Sequence, residues 1–139
     1  MRAPTVMAFL LADKVFREME TGKVHIAGTF NQLSTLRFPM LHPQFYIYLC
    51  MNDLDSGEHV LKLEFRYLET GLRVMDLQQP VKSRGPLDAI EVNMCFNSIR
   101  FEQEGTVEIS LEVDGQAVAN RSLRIRKVVP PGETPEEPS

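Results

Sequence analysis

Apolar and polar residues alternate along most of this 139-residue chain. Residues 107–113 show the pattern clearly, because Val107, Ile109, Leu111 and Val113 are separated by two glutamates and a serine. Successive side chains of a β-strand point to opposite faces of the sheet. A period of two therefore predicts strands with one buried face, and we expect an all-β protein. A short helix within residues 12–20 remains an alternative, since Val15 and Met19 lie one helical turn apart.

The alternation predicts about seven or eight strands. They are expected near residues 5–15, 24–30, 45–51, 61–67, 72–77, 89–96, 107–113 and 117–128. Asp114-Gly115 between the last two predicts a two-residue hairpin, because both central residues of a type I′ turn need positive φ. The proline-bearing segments 36–43 and 78–87 are predicted to be connections in which the chain changes sheets. A closed barrel is possible on this pattern, but we favour an immunoglobulin-like, two-sheet antiparallel sandwich.

The charge is low and unevenly distributed. Lys and Arg total 15 against 19 Asp and Glu, for a formal net charge of −4. Three of the acidic residues, Glu133, Glu136 and Glu137, lie in the proline-rich segment 130–139, which holds no basic residue. We expect a domain over residues 1–129 and a disordered acidic tail over 130–139. The domain is nearly neutral, so the sequence predicts no nucleic-acid partner and no membrane partner.

The cysteines and the N-terminus indicate a reducing compartment. Cys50 and Cys95 both fall out of phase with the apolar positions of their strands, which predicts two free thiols rather than a core disulfide. The apolar run of residues 6–12 is short, and Asp13 and Lys14 follow it directly. No cleavage site closes that run. We therefore expect a cytoplasmic protein.

Motifs that carry catalysis or metal binding are missing from the sequence. His25, His42 and His59 are 17 residues apart and are predicted to be isolated surface or loop histidines. The acidic residues of the loop 52–58 fit a hairpin turn better than a calcium loop, although a weak cation site there stays open. There is no nucleophile elbow and no phosphate-binding glycine loop. The sequence thus predicts a protein that is not an enzyme and has no cofactor.

Two surface features could support binding. Tyr46 and Tyr48 lie on the outer phase of their strand, where two aromatic rings could form a contact platform or be covered by a second layer. On the last predicted strand Arg124 and Arg126 share one face, with Arg121 and Lys127 nearby. This basic stripe could dock an acidic partner, or it could protect a sheet edge from aggregation.

A family resemblance covers roughly residues 5–128. It rests on residues 7–15 (MAFLLADKV), Thr21-Gly22-Lys23, Gly28-Thr29-Phe30, Phe38-Pro39, and Gly105 with Val113-Asp114-Gly115. In these residues the chain resembles an uncharacterised family of small bacterial β-sandwich proteins of unknown function. The resemblance implies a bacterial β-sandwich and no particular activity.

The expected function is a non-enzymatic protein-interaction or assembly module, with an unidentified protein partner or self-association. The alternative is a β-sandwich that binds a small ligand, either a carbohydrate or a metal ion, through the loops 52–58 and 78–87. The absence of Trp weakens the carbohydrate hypothesis, because sugars commonly stack on that ring.

Overall fold

The computed structural model describes residues 3–129. All regular secondary structure in that range is β-strand. Eleven strands are present rather than seven or eight. They are β1 (Thr5–Arg17), β2 (Val24–Thr29), β3 (Gln32–Thr35), β4 (Met40–His42), β5 (Phe45–Asn52), β6 (Gly57–Tyr67), β7 (Arg73–Ser83), β8 (Ile90–Phe96), β9 (Ile99–Phe101), β10 (Gly105–Val113) and β11 (Gln116–Lys127). The predicted tail over 130–139 lies outside the described residues.

The strands form three sheets. One has the order β2-β1-β5-β8, a second has the order β3-β11-β10-β6-β7, and β4 pairs with β9 in a small third sheet. Neighbouring strands are antiparallel except for β3 and β11, which run parallel. The all-β prediction is therefore confirmed, and the helical alternative for residues 12–20 is wrong because β1 continues to Arg17. Within residues 3–129 there is no helix long and apolar enough to cross a membrane.

A single hydrophobic core takes side chains from both larger sheets. On β6 the predicted inward residues Leu61, Leu63 and Phe65 are completely buried. The Phe65 ring of the five-stranded sheet lies 5.5 Å from the Phe96 ring of the four-stranded sheet, and Phe96 stacks on Phe45 at 5.2 Å. Each such buried side chain contributes roughly 1.5–3 kcal/mol to stability, so these contacts join the two sheets strongly.

Alternation also gives the four-stranded sheet a second apolar cluster. Ile47 and Leu49 of β5 belong to the main core, whereas the intervening Tyr48 and Cys50 contact Ala12 and the buried Val15. Consecutive side chains of β5 point to opposite faces, so this second cluster lies on the face away from the main core. Both faces of β1 and β5 thus carry apolar side chains.

The additional strands occur where prolines had indicated connections. β7 runs through much of the predicted loop 78–87, with Pro80 opposite Val60 of β6. A proline is tolerated there because β7 is the last strand of its sheet and needs no second row of donors. β4 has only three residues, between Pro39 and Pro43, and these residues pair with β9.

The Asp114-Gly115 hairpin is confirmed. Asp114 has φ 52° and Gly115 has φ 82°, and Val113 pairs with Gln116 across the turn. Positive φ at both positions is the requirement of the type I′ turn that the sequence predicted.

Candidate binding face on the five-stranded sheet

The end of β11 presents arginines on the outward face of the five-stranded sheet. Leu123 and Ile125 are buried in the main core, so the alternating residues Ser122, Arg124 and Arg126 point outward and are exposed. The alternation of apolar and polar residues in β11 therefore fixes where both arginine side chains lie.

Strands on both sides flank Arg124. Thr106 of β10 is its antiparallel partner, and Gln32 of β3 is its parallel partner. The Arg124 backbone N–H donates to the Asn31 carbonyl oxygen at 3.0 Å, which holds the residue before β3 in place. Together Asn31, Gln32, Thr106, Ser122 and Arg124 line an open concavity of about 410 Å³.

Carboxylates near this concavity have other partners. Glu69 Oε1 accepts the backbone N–H of Thr106 at 2.7 Å, and Glu104 Oε2 accepts that of Lys127 at 2.8 Å. Glu108 faces outward opposite Ser122, but its carboxylate accepts the Ser110 hydroxyl at 3.3 Å, further along β10. Within residues 3–129 no carboxylate oxygen lies within 4.0 Å of the guanidinium nitrogens of Arg124 or Arg126.

Arg121 does not belong to this basic face, which corrects the predicted stripe. It pairs with the buried Ile109, so its side chain starts on the inward face of the sheet. Its Nη1 donates to the Phe9 carbonyl oxygen of β1 at 2.7 Å, while its buried Nε has no hydrogen-bond partner. Arg121 therefore connects the two larger sheets. Its neighbours Arg124 and Arg126 remain on the outward face.

The predicted tyrosine platform is only partly exposed. Tyr48 is 8% exposed, and its hydroxyl donates to the Glu91 carboxylate, which also contacts Arg17 Nη2 at 3.4 Å. Burial, reinforced by this carboxylate, raises the pKa of Tyr48. Tyr46 is half-buried beside Cys95, whose contact raises the pKa of Tyr46. The pair is thus a partly covered apolar face with little ring surface available for contact.

Both cysteines are free thiols, as predicted. Cys50 is buried in the second apolar cluster. Cys95 is exposed on β8, where Gln44 Nε2 lies 3.2 Å from its Sγ. In the β5–β8 ladder Cys95 is opposite Tyr46 and Cys50 is opposite Glu91, so the two thiols occupy different cross-strand pairs.

His59 is buried, and its prediction as a surface or loop histidine is wrong. Its Nδ1 lies 2.6 Å from Asp114 Oδ2 and its Nε2 lies 2.7 Å from the Asp55 carbonyl oxygen. An imidazole between two acceptors is best satisfied when both nitrogens carry protons. The Asp55 carbonyl and the Asp114 carboxylate accordingly raise the pKa of His59, and the His59 hydrogen bond lowers that of Asp114.

The other two histidines lie in separate environments. His25 is exposed on β2, where its ring stacks on Phe16 at 5.0 Å and its Nε2 lies 2.9 Å from Glu18 Oε2. His42 packs between Phe30 and Phe45, and burial lowers its pKa. No site collects the three imidazoles.

The loop 52–58 is held by contacts within the protein. Thr5 Oγ1 donates to Asp53 Oδ2 at 2.5 Å, and the backbone N–H of Asp53 donates to the Pro86 carbonyl at 2.9 Å. Asp53 has φ 66°, and Asp55 supplies its carbonyl to His59. In the described part of the chain, no group of three or more His, Cys, Asp or Glu side chains is arranged to hold a metal ion.

Sequence reasoning missed several residues, and only some of them had a usable signal. His59 precedes Leu61 and Leu63 in the inward phase of β6, and Arg121 lies between Ala119 and Leu123 in that of β11. Their alternation could have predicted both inward positions. The concavity had no comparable signal, because it depends on the parallel pairing of β3 with β11, and those strands are far apart in sequence.

These observations define an all-β arrangement of eleven strands over residues 3–129, with a polar concavity on the five-stranded sheet. Residues 7–126 match the model of a family of unknown function (DUF6941), and the chain belongs to that family. The resemblance to an uncharacterised family is thereby confirmed. No curated protein sequence matches the chain.

A solved structure shares the fold. It is described as "Pseudomonas fluorescens alkylpurine DNA glycosylase AlkC bound to DNA containing an abasic site analog". The superposition has a TM-score of 0.50 at 7% sequence identity and covers 88% of this chain. This chain spans only 30% of the glycosylase chain, and the likeness shows the fold alone.

The glycosylase structure corrects the expectation about partners. The sequence had predicted a protein partner or a second copy of this chain, and it had excluded nucleic acid. The exclusion of nucleic acid is wrong, because a chain containing this fold is bound to DNA. The expectation rested on the summed charge of residues 1–129. A summed charge does not describe local charge: Arg124 and Arg126 of this chain lie together on one outward face, as their alternation in the sequence predicted.

Proposed function

We propose that this chain is a non-enzymatic interaction module built on an immunoglobulin-like sandwich, which forms one domain over residues 1–129. The sandwich proposal is supported by the single core that receives side chains from both larger sheets. The binding role rests on the face around Arg124 and Arg126.

The partner proposed for this face is the phosphate backbone of duplex DNA. The observation that carries the proposal is that the outward guanidinium groups of Arg124 and Arg126 have no carboxylate partner among residues 3–129. Arginine suits phosphate because its planar fork donates several hydrogen bonds. The DNA in the structure with a similar fold supports the choice of a nucleic acid.

A net charge of −4 is compatible with this binding. Interactions between exposed charges are largely screened beyond about 10 Å at moderate salt. A phosphate on this face therefore responds mainly to the charges at the β11 end of the sheet, where Arg124 and Arg126 lie near Glu69, Glu104 and Glu108. The net charge of the whole chain matters little there. Contacts of this kind give affinity without reading base sequence.

A fluorescence-anisotropy titration with labelled duplex DNA over a series of salt concentrations tests the proposal. The association constant K for DNA falls as salt rises. Replacing two phosphate-contacting arginines makes the plot of log K against log salt shallower, reducing the magnitude of its slope by about two. We expect that decrease, with weaker binding, in the double variant Arg124→Gln/Arg126→Gln. The matched control is Arg66→Gln/Arg73→Gln, which removes two arginines from the same face where they already contact carboxylates. The control should bind like the unmodified chain.

Two results would contradict the proposal. Equal weakening in both double variants would show a non-specific effect of net charge. Binding of an acidic polypeptide such as poly-glutamate, with no binding of duplex DNA, would identify an acidic protein as the partner instead.

A further inference from the structure

The concavity beside Arg124 differs in chemistry from a smaller concavity on the same sheet. Its five lining residues are one arginine, two amides and two hydroxyls, namely Asn31, Gln32, Thr106, Ser122 and Arg124. The second concavity, of about 120 Å³, is lined by Lys62, Glu64, Ser110 and Glu112. It thus contains two carboxylates and a single lysine, whereas the larger one has a cation and no carboxylate among its lining residues.

The larger concavity can donate hydrogen bonds from several directions. Arg124 lies between Gln32 on one neighbouring strand and Thr106 on the other, and Ser122 precedes it on the same face. A guanidinium only donates, whereas amide and hydroxyl groups can donate as required. Side chains from β10 and β11 and from the start of β3 therefore line the concavity with donors and a single positive charge.

Phosphate matches this set of donors better than a carboxylate or a neutral sugar. A phosphate group presents several acceptor oxygens arranged tetrahedrally, so donors on three strands can each reach a different oxygen. A carboxylate presents two oxygens in one plane. A neutral sugar would bring no negative charge to Arg124. The nearby carboxylates of Glu69 and Glu108 do not pair with Arg124 either, because they accept hydrogen bonds from Thr106 and Ser110.

We propose that the concavity lined by Asn31, Gln32, Thr106, Ser122 and Arg124 is a subsite for one phosphate group. This inference rests on the proposed function and makes it more specific, because it assigns a position to one backbone phosphate. Arg124 supplies the charge. Thr106 supplies a neutral donor from the neighbouring strand β10, and Ser122 supplies one from two residues earlier on β11. Arg126 lies outside the subsite and would contact a neighbouring phosphate.

An NMR titration of the ¹⁵N-labelled full chain with inorganic phosphate tests the subsite, with chloride at matched ionic strength as the reference. Saturable shifts are expected at the backbone amides of the five lining residues. Loss of two charge-assisted hydrogen bonds should raise the phosphate Kd at least tenfold in Thr106→Val/Ser122→Ala. Both substitutions keep the charge and the strand. The matched control Thr29→Val removes an exposed strand hydroxyl from the four-stranded sheet, outside the subsite, and should leave Kd unchanged.

The outcomes separate this inference from the proposed function. If duplex binding requires Arg124 and Arg126 but phosphate causes no saturable shift, the subsite is wrong and the proposed function stands. If phosphate saturates the subsite but duplex DNA does not bind, the DNA partner is wrong and the subsite stands. Equal effects of Thr106→Val/Ser122→Ala and Thr29→Val, or tighter binding of glucose than of phosphate, would overturn the subsite.

Discussion

The arginines on the outward face of the five-stranded sheet fall into two groups. Arg66 Nε lies 2.8 Å from Glu64 Oε1, and Arg73 contacts both Glu64, at 3.6 Å, and Asp76, at 3.4 Å. The hydrogen bond from Arg66 lowers the pKa of Glu64. Arg124 and Arg126 lie on β11, two strands from β6 and three from β7, and have no such partner among residues 3–129.

This difference separates two uses of the same side chain. An exposed ion pair contributes about 0–1 kcal/mol to stability and largely neutralises its own charge. An exposed arginine without a partner contributes little to folding but retains its full charge for a ligand. On the β6–β7 side, neighbouring carboxylates therefore neutralise the arginine charges. On the β3–β11 side, the charges of Arg124 and Arg126 are available to an anionic ligand.

The largest effect is expected where a cation is both buried and paired. Replacing His59 by Ala should lower the free energy of unfolding by about 2–3 kcal/mol, because Asp114 and the Asp55 carbonyl lose a charge-assisted partner. Replacing the exposed Arg126 by Gln should change it by less than about 0.5 kcal/mol. Urea denaturation of both variants measures the difference. Equal destabilisation would contradict the division between structural and available cations.

The His59–Asp114 pair should also make stability depend on pH. The pKa of His59 is raised, so its contribution is complete below the unfolded value near 6.5 and is lost as pH rises through the folded pKa. The pKa of Asp114 is lowered, so its contribution is present above about 3.8 and is lost as pH falls through its folded pKa. The stability difference between the unmodified chain and His59→Gln should be largest between these limits. A difference that stays constant into alkaline solution would rule out a charged His59.

A smaller change should make the compensated side resemble the β11 side. Glu64→Gln removes the carboxylate shared by Arg66 and Arg73 and leaves two outward cations with less compensation. We expect duplex DNA affinity at low salt to rise about threefold, since phosphates can replace the lost carboxylate. Stability should fall by no more than about 1 kcal/mol. Unchanged affinity in the anisotropy titration would contradict the view that carboxylate pairing is what separates the two sides of the sheet.

The smallest effect on binding is expected on the other sheet. Tyr46→Ser and Tyr48→Phe should each leave duplex DNA affinity within about twofold of the unmodified chain, because neither residue lies on the β11 face and neither change alters charge. Tyr48→Phe should still cost about 1 kcal/mol of stability through the lost hydrogen bond to Glu91. A marked loss of DNA affinity in Tyr46→Ser would move the binding face to the four-stranded sheet.

The fold was predictable where the signal is local. Alternation located the inward residues of β6 and β10. The Asp114-Gly115 dipeptide located the hairpin between β10 and β11. The short strands β4 and β9 were not predictable, because three residues cannot display a period. Pro80 indicated a loop, and only the position of β7 at the end of its sheet explains why a strand tolerates it.

The candidate site was less predictable than the fold. Arg124 and Arg126 could be assigned to one face from the sequence, but whether a carboxylate neutralises them depends on which strands become neighbours. Gln32 reaches Arg124 only through a parallel pairing between strands that are about 90 residues apart. Alternation placed Tyr48 on the outer phase of its strand and left open whether the ring is covered, because it gives the face of a residue and does not give the size of its neighbours.

The inward side chain of Arg121 has a consequence for how copies of this chain behave in a crowded solution. β3 covers β11 only from Arg124 onward, so among the described strands the first half of β11 forms an open sheet edge. An invading strand could hydrogen-bond to such an edge and start a growing aggregate. A strand placed there would further enclose the guanidinium group of Arg121, whose Nε already has no hydrogen-bond acceptor. Arg121, which connects the two larger sheets through its hydrogen bond to Phe9, would thereby disfavour polymerisation along that edge.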